Sequence, residues 1–397
     1  MTQTLRLIAG DPHLRLACLL LVVIGAAVSS VIPFQSLIAV DILGMSDTDY
    51  AAVLVGEALL GVASAVWGGL LSDSWLDRRH LAIGATALAV CGTALMLAVP
   101  SIPAFVVTHA ILYPMSGVVF SQTFALTRLA SEEMAPDARD AVLVAVRAFL
   151  AVPFVIVLPI WSVAMAAGAP LLSVYPVVMA LHLMLLALVC LSWPSDRTAG
   201  WRTGKSRLSL VAGLRELGEP RIVSRVLIMG AIVSGQPIYM AVLGLIFADN
   251  AATALFFGLV AGLEIPVMLW MGALLARYPR RQLIAGGAVL YGSALALVPA
   301  LLGSWTVWLL VVPAALGGGV ILSLPLAYLQ DLLAARLGAG GSLIAVQRVI
   351  SQGIAAAVFA IGTTIAGYGL AAALAGLGMI GAAALYLWVD REGRPQL

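Results

Sequence analysis

Long apolar stretches alternate with short polar connections along the whole chain. Each stretch runs to roughly 18 to 28 residues, which matches the ~20 residues that a helix needs to cross the hydrocarbon core of a bilayer. The pattern therefore predicts twelve membrane-spanning helices. They cover approximately residues 14–40, 50–72, 80–99, 103–127, 139–166, 171–193, 221–247, 251–276, 282–302, 306–332, 342–366 and 369–389.

One polar connection occurs twice. Residues 69–81 read GLLSDSWLDRRHL, and residues 272–283 read GALLARYPRRQL. Each copy is a short, doubly basic segment between two apolar runs, which is typical of a tight cytoplasmic turn between two spanning helices. The chain is therefore predicted to be an internal duplication, and two repeated halves of this kind indicate a transporter.

Composition agrees with a membrane protein and narrows its chemistry. The chain is 62% hydrophobic and only 10% charged, whereas about a quarter of the residues of a soluble domain are charged. It contains no phosphate-binding GxxxxGK[ST] loop, no nucleophile elbow and no metal-spaced set of Cys and His. We therefore expect no enzyme activity, no cofactor, no metal and no nucleic-acid partner; the bilayer is the expected surrounding.

The basic residues lie on one side of the predicted membrane. None of the 21 Lys and Arg residues falls in a connection assigned to the outside, where only Asp41, Asp47, Asp49 and Asp249 occur. By the positive-inside rule, both termini are predicted to be cytoplasmic. The first apolar run is too long for a cleavable signal and continues as the first span.

A single long hydrophilic connection divides the spans six and six. We predict an N-terminal six-helix bundle at residues 1–193, a cytoplasmic linker at 194–220 and a C-terminal six-helix bundle at 221–397. The expected fold class is an all-α integral membrane protein with twelve transmembrane helices in two pseudo-symmetric halves.

The repeated turn resembles the signature loop of the major facilitator superfamily, G-x-L-x-D-x-x-G-R-R. Its form here, with Asp73-Ser74 followed by Asp77-Arg78-Arg79, is similar to that of the bacterial sugar efflux transporters within the superfamily. Further stretches that resemble this family are 124–128, 147–148, 261–266 and 330–332.

This resemblance implies export of sugars or sugar-like solutes, coupled to proton entry, across a bacterial cytoplasmic (inner) membrane. Two departures stand out. Leu76 takes the place of the usual glycine in the loop, and residues 157–159 read VLP where many antiporters carry a Gly-Pro pair. The second departure weakens a helix-packing feature that is associated with antiport.

Two acids lie within the predicted spans, where an ionisable group is costly and is therefore a functional candidate. Glu57 and Glu264 stand twelve and eight residues before the glycines of their turns, Gly69 and Gly272, so they are expected on one helical face a single turn apart. A carboxyl group away from water is more readily neutral, and an approaching arginine favours ionisation. We predict both as proton-coupling residues; the alternatives are a static buried ion pair and a hydrated carboxylate at a helix end.

Arg147 in the fifth span corresponds to Arg348 in the eleventh, and both are expected to be buried. A buried guanidinium cannot lose its proton, so it needs a carboxylate, several carbonyls or a polyhydroxylated ligand. Arg348, Ser351 and Gln352 have the i, i+3, i+4 spacing of a polar stripe. We predict substrate binding by Arg147, Arg348, Gln347 and Gln352, with interhelical hydrogen bonding as the alternative.

Gln35 in the first span and Gln236 with Tyr239 in the seventh are corresponding polar positions beside Pro33 and Pro237. In the superfamily that the chain resembles, these helices usually line the cavity. We therefore predict Gln35, Gln236 and Tyr239 as substrate-binding residues.

The remaining candidates are aromatic rings and histidines within spans. Aromatic rings can stack on sugars, but tryptophans near span ends more often anchor a protein at the membrane interface. His109 and His182 could titrate or could simply be hydrogen-bonded. The stacking candidates are Tyr239, Trp67, Trp161 and Trp270, and the predicted anchors are Trp75, Trp193, Trp305 and Trp308.

Charged residues at the turns are predicted to form a cytoplasmic gate. By the resemblance, Asp73 meets a helix N-terminus of the other half, an arrangement that the helix dipole favours. Arg78 and Arg79 could meet acids of neighbouring turns, and Asp331 ends the tenth span. The alternative is a charged turn that only sets topology. Because Ala276 replaces the acid in the second copy, the gate is expected to be asymmetric.

The leading hypothesis is a proton-linked exporter, by alternating access, of sugars or related small polar molecules, working as a monomer. Very apolar walls also allow a proton-coupled drug or antibiotic exporter of the same fold. A third hypothesis is a membrane sensor or scaffold that transports nothing, which no additional soluble domain supports.

Overall fold

The computed structural model describes residues 2–74, 77–195, 220–331 and 340–390, and every regular element in them is helical. Twelve of the helical stretches in this part of the chain are long and apolar enough to cross a membrane. This confirms the predicted all-α, twelve-span fold of a multi-pass membrane protein.

The spans are numbered in chain order and follow a short helix, α1, at Thr2–Gly10. Spans 1 to 6 are Pro12–Ile42, Asp47–Ser74, Arg78–Ala98, Ile102–Ala130, Pro136–Ala148 continued by Val152–Ala166, and Leu171–Ser192. Spans 7 to 12 are Pro220–Val233 continued by Gly235–Phe247, Asn250–Leu275, Arg280–Leu301, Trp305–Leu310 continued by Val311–Asp331, Gly340–Ala366, and Tyr368–Val389.

Short polar side chains start several spans by capping the free backbone N–H groups of the first turn. Asp11 accepts from the N–H groups of His13 (2.8 Å) and Leu14 at span 1. Asp249 does the same at span 8. Asp77 of the repeated turn caps span 3 by accepting from the N–H of Arg79 at 3.0 Å. Such a cap contributes about 1 kcal/mol, so each connection helps to set where its helix begins.

Prolines interrupt the first span of each predicted half. In span 1 the helix tightens at Ile32–Phe34 around Pro33 and widens into a π-helix at Ile38–Ile42. In span 7 it breaks at Ser234, three residues before Pro237. Proline has no backbone N–H to donate to the carbonyl one turn earlier. The regular hydrogen-bond pattern of the helix is therefore interrupted near Pro33 and near Pro237.

Span 5 is interrupted at residues 149–151, directly before Val152 and Pro153 begin its second segment. The N–H of Leu150 bonds to the carbonyl of Arg147, and that of Ala151 to Ala148, so the chain turns more tightly there. Span 11, its counterpart in the repeat, is one continuous helix from Gly340 to Ala366.

Contacts divide the chain into two compact units, Met1–Gly44 with Leu59–Ser206, and Met45–Ala58 with Arg207–Leu397. In the second unit, Tyr368 donates a hydrogen bond to Asp47 (3.0 Å), and the rings of Tyr50 and Phe359 meet edge to face at 5.4 Å. These contacts place the beginning of span 2 with the second unit. The domain boundaries at 193 and 220 stay a prediction.

The first unit packs around span 1, which contacts spans 4, 5 and 6. Gly25 allows the interrupted part of span 5 to come close, since a Cβ at this position would overlap the carbonyl oxygen of Leu150. Farther along, the indole of Trp161 donates to the Ser30 hydroxyl at 3.0 Å. Spans 1 and 5 are thus joined by close packing and by a buried hydrogen bond.

In the second unit the most extensive helix pair is spans 9 and 12. They cross at Gly292 and Gly376, where a Cβ on either glycine would overlap the carbonyl oxygen of the other. Small residues at a crossing let two membrane helices approach until their backbones touch.

Candidate functional site

Glu264 lies in span 8 with its carboxylate directly against the backbone of span 10. A Cβ at Gly318 would overlap its Oε1 atom. The neighbouring Gly319 packs against Val267 and the backbone carbonyl of Glu264, and Gly317 packs against span 9 at Tyr291. The three glycines therefore form a notch in span 10 that makes room for an acid on span 8.

Two tyrosines approach this acid from other helices. Tyr239 of span 7 and Tyr291 of span 9 are 3% and 2% exposed, and their ring centroids lie 5.5 Å apart. Both interact electrostatically with Glu264. The Tyr239 hydroxyl has no hydrogen-bond partner among the residues that the structure describes.

Tyr239 is packed among aromatic rings in this structure. Phe257 and Tyr291 meet its ring edge to face, at centroid distances of 4.8 Å and 5.5 Å. The substrate-binding role predicted for Tyr239 stays a prediction.

Glu57 lies in span 2, within the segment that packs with the second unit, and it is half-buried. It takes part in an interaction in this structure. The proton-coupling role predicted for it stays a prediction.

Arg147 and Arg348 are both exposed, which corrects the expectation of two buried arginines. Removing a guanidinium from water costs several kcal/mol unless a counter-charge compensates for it. Arg147 lies immediately before the interruption of span 5, and Arg348 lies on the continuous span 11. Each is thus open for a ligand but is not held in place by burial.

The polar stripe predicted on span 11 is split between two faces. Gln347 and Ser351 are 7% and 3% exposed, whereas Arg348 is exposed and Gln352 is half-buried. The Nε2 of Gln347 and the Oε1 of Gln352 have no hydrogen-bond partner in the described part of the chain. An amide donor and an amide acceptor are therefore both available. A hydroxyl group can pair with both, because it donates one hydrogen bond and accepts others.

Gln35 and Gln236 lie at the interruptions of spans 1 and 7. Gln35 is 4% exposed and makes an interaction, while Gln236 is half-buried. Span 7 packs against span 11, with Gly230 against Ile350. Gln236 is therefore on a helix adjacent to the one that carries Gln347.

The gate residues are only partly described. Asp73 is in the last turn of span 2 and Asp331 is the final residue of span 10, but both side chains lie outside the described part of the structure. Arg78 is buried and makes an interaction. Arg79 donates from Nη2 to the carbonyl oxygen of Cys190 at 2.6 Å.

Arg79 thus binds a backbone carbonyl, and the gate role predicted for it stays a prediction. Cys190 belongs to the last turn of span 6, whose final carbonyls have no partner within the helix and attract a cation. The first repeated turn therefore joins the start of span 3 to the end of span 6. In the second copy, Pro279 stands at the N-cap of span 9 without a side-chain cap, so the two turns differ in structure as well as in sequence.

Sequence reasoning missed a buried network that joins spans 3, 4 and 6. His109 Nε2 lies 2.9 Å from the Tyr175 hydroxyl, and the Thr93 hydroxyl lies 2.7 Å from Nδ1 of His182 and 2.9 Å from the hydroxyl of Tyr113. The alternative that both histidines are hydrogen-bonded is the one the structure shows. His109 sits in a π-helix at Val107–Leu112, which sequence periodicity does not reveal.

The predicted division of the tryptophans into stacking candidates and interface anchors does not match their burial. Trp161, a stacking candidate, is buried against span 1, and Trp193, assigned as an anchor, is 3% exposed in the core of the first unit. Trp67 and Trp270 are 65% and 68% exposed. Trp305 is exposed, Trp308 packs on Phe247 and Phe256, and Trp75 lies outside the described residues.

Comparison with known sequences agrees with the helical architecture. A profile of the Major Facilitator Superfamily matches residues 17–360. The chain is 26% identical to a Deinococcus radiodurans protein named "Putative sugar efflux transporter", over 97% of this chain and 100% of that protein.

Solved structures show the same fold. The nucleoside transporter NupG superposes with a TM-score of 0.80 at 12% identity, covering 96% of this chain and 100% of that one. The peptide transporter POT superposes with a TM-score of 0.75 at 14% identity, covering 96% and 94%. At such low identity the likeness concerns the fold alone. With the profile match over most of its length and the twelve-helix fold, the chain belongs to the major facilitator superfamily of transporters.

Proposed function

We propose that this transporter exports sugars or sugar-like small polar solutes, and that proton entry drives the export by antiport with alternating access. Full-length similarity to a protein named for sugar efflux supports the substrate class. The notch that holds the Glu264 carboxylate against Gly318 carries the proposal for the proton, since it places an acid inside a helical bundle.

The surroundings of Glu264 favour a proton-binding role over a structural ion pair. No Lys or Arg occurs in residues 226–276 or 282–330, which include most of spans 7 to 10. Within these two ranges, Glu264 therefore has no basic residue to pair with; the arginines of spans 7 and 9 lie in their first two turns. A carboxyl group in such a place exchanges a proton when its access to water changes. Glu57 is the second proton-coupling candidate.

The substrate site in this proposal uses the open arginines and the amides with free hydrogen-bonding groups. Arg147 and Arg348 supply charged donors, and Gln347 with Gln352 supplies a donor and an acceptor. Hydroxyl groups of a sugar are both donors and acceptors and can pair with groups of either kind. Gln35 and Gln236 complete the proposed set.

The setting of the proposal is the cytoplasmic membrane of a bacterium, with a monomer as the working unit and both termini in the cytoplasm. The distribution of basic residues supports this orientation. Asp73, Arg78, Arg79 and Asp331 form the proposed cytoplasmic gate, and the segment 194–220 links two six-helix bundles.

Reconstituted vesicles with an imposed pH gradient test the proposal. Glu264→Gln keeps the size of the side chain and removes its titration, so we expect loss of gradient-driven sugar efflux. Glu132→Gln makes the same change on an exposed turn and is expected to leave efflux unchanged. Gradient-driven efflux of wild-type rate in Glu264→Gln would remove Glu264 from the mechanism.

The substrate class is tested separately by thermal shift with a panel of mono- and disaccharides and a panel of lipophilic cations. We expect stabilisation by one or more sugars because a bound ligand stabilises the folded state by mass action. Stabilisation by lipophilic cations alone would overturn the sugar proposal and favour drug export.

A further inference from the structure

The Tyr239 hydroxyl is a buried polar group whose position the fold alone does not explain. The side chain is 3% exposed, and its hydroxyl has no hydrogen-bond partner in the described part of the chain. Buried hydroxyls are nearly always paired, and an unpaired one calls for a reason. A phenylalanine would fill the same space without burying an unpaired hydroxyl. We therefore infer that the Tyr239 hydroxyl has a hydrogen-bond partner in another state of the transport cycle.

Glu264 and the two tyrosines meet at the glycines of span 10. Gly317 packs against Tyr291, and the next residue, Gly318, packs against the Glu264 carboxylate. The rings of Tyr239 and Tyr291 meet at 64° with centroids 5.5 Å apart, and both lie within electrostatic range of Glu264. The three side chains come from spans 7, 8 and 9. A fourth helix, span 10, contacts the Glu264 carboxylate through the notch at Gly318.

An ionised Glu264 would need donors, because a carboxylate only accepts hydrogen bonds. The notch offers Cα atoms and no side chain, and residues 226–276 and 282–330 contain no Lys or Arg. The hydroxyls of Tyr239 and Tyr291, which lie within electrostatic range of Glu264, are donors that spans 7 and 9 can offer it. A hydrogen bond from a hydroxyl to an ionised carboxylate is stronger than one between neutral groups.

Other titratable groups on the helices packed around this site are engaged elsewhere or are exposed. Tyr328 donates to Asp390 at 3.1 Å, and Tyr386 also interacts with Asp390. Arg348 on span 11 is exposed. The remaining groups on these helices are Tyr368, which bonds to Asp47, Asp331 at the end of span 10, and arginines in the first two turns of spans 7 and 9. These arginines are Arg221, Arg225, Arg280 and Arg281, and Arg225 pairs with Asp390 at 3.8 Å.

The tyrosine rings border a small cavity on the side of Ala294 and Ala314. It has a volume of about 10 Å³, which is room for one water molecule at most. Its walls are apolar and include Phe256, so it suits neither a solute nor a stable water. The cavity therefore offers no polar partner to either tyrosine.

We propose that Tyr239 and Tyr291 are positioning residues that donate hydrogen bonds to Glu264 when it releases its proton. Glu264, Tyr239 and Tyr291 then form one proton-binding unit of the second compact unit, here called the Glu–Tyr triad. This inference rests on the proposed role of Glu264. In this inference the transported proton binds to the triad. The solute binds to Arg147, Arg348 and the span 11 amides of Gln347 and Gln352.

Infrared difference spectroscopy of the full-length protein in liposomes tests the triad without any substrate. The carbonyl stretch of a protonated carboxyl group disappears as the pH is raised, and the band missing in Glu264→Gln identifies Glu264. In Tyr239→Phe and in Tyr291→Phe we expect the midpoint of that band to move to higher pH by about one unit, a tenfold change in proton affinity.

Tyr386→Phe is the matched control. Tyr386 is in the same unit, is 1% exposed and also has a hydroxyl without a partner among the described residues, but it interacts with Asp390 instead of Glu264. Its removal is expected to leave the Glu264 midpoint where it is. An unchanged midpoint in both Tyr239→Phe and Tyr291→Phe, or an equal shift in Tyr386→Phe, would overturn the triad.

Vesicle efflux separates this inference from the proposed function. Glu264→Gln could lose gradient-driven efflux while the Glu264 midpoint stays unchanged in Tyr239→Phe and Tyr291→Phe. That result would retain proton coupling through Glu264 and reject the triad. Shifted midpoints together with wild-type efflux in Glu264→Gln would retain the triad as a hydrogen-bonded unit and reject its role in transport.

Discussion

The carboxylate of Glu264 on span 8 rests on the backbone of Gly318 on span 10, at a position where even a methyl group would overlap it. A side chain at 318 would therefore have to displace the carboxylate, whereas the backbone conformation does not itself call for glycine, since Gly318 lies within a regular helix. The two residues form a pair whose members are 54 positions apart in the sequence.

Gly318→Ala is expected to displace Glu264 and to impair proton coupling. Overlap in a packed interior typically costs about 1–3 kcal/mol, and the flexible carboxylate can move aside more easily than the helix. We expect gradient-driven efflux to fall at least several-fold while solute exchange without a gradient continues. Gly286→Ala on span 9, where a Cβ would meet nothing within 4 Å, is the control and should behave as wild type. Equal efflux in the two variants would contradict the notch.

Thr93→Val is expected to destabilise the first unit. The Thr93 hydroxyl is hydrogen-bonded to the Ala89 carbonyl, to the Tyr113 hydroxyl and to Nδ1 of His182. Removing that oxygen takes a buried hydrogen-bond partner from Tyr113 and from His182, and a buried polar group left without a partner costs about 1–3 kcal/mol. Thermal unfolding in detergent should show a clearly lower midpoint.

Thr86→Val makes the same substitution on the same helix. Thr86 is fully buried, but its hydroxyl donates to the Ala82 carbonyl within its own helix. Its removal leaves no donor from another span unpaired, so the midpoint should change little. Similar losses in the two variants would show that the network across spans 3, 4 and 6 contributes nothing of its own.

Arg79→Ala is expected to loosen the end of span 6. The bond from its guanidinium to the Cys190 carbonyl is a charged hydrogen bond, worth about 1.5–3 kcal/mol when buried and less here because Arg79 is half-buried. Hydrogen exchange should accelerate in the last turn of span 6. The exposed neighbour His80 offers the control His80→Ala, which should leave exchange there unchanged; acceleration in both would point to a general effect on the turn.

The number and type of spans were predictable because each depends only on local composition. Roughly twenty apolar residues cross the bilayer as a helix whatever the other helices do. The importance of Glu264 was also predictable, since an acid within an apolar span is rare. Its surroundings were not, because they depend on which faces of spans 7, 9 and 10 turn toward span 8.

The arginines show the same limit. Arg147 and Arg348 lie in apolar stretches, which led to the prediction that they are buried, but the rotation of a helix decides whether a side chain faces a neighbour or an opening. Arg79 shows a second limit of the sequence. Its partner is the backbone carbonyl of Cys190, and a backbone carbonyl carries no residue-specific signal.

Gly376→Ala tests whether close backbone approach holds spans 9 and 12 together. A Cβ there would overlap the Gly292 carbonyl oxygen and would press on Ala296 from 2.8 Å. Two helix backbones cannot rotate away as a side chain can, so we expect a loss of stability of about 3 kcal/mol, at the upper end for overpacking. Gly378→Ala changes the same helix two positions later, where a Cβ meets nothing within 4 Å. That control should keep the wild-type midpoint of thermal unfolding in detergent, or exceed it slightly, because alanine favours helix over glycine. If Gly376→Ala unfolds at the same temperature as Gly378→Ala, the crossing is not held by close backbone approach.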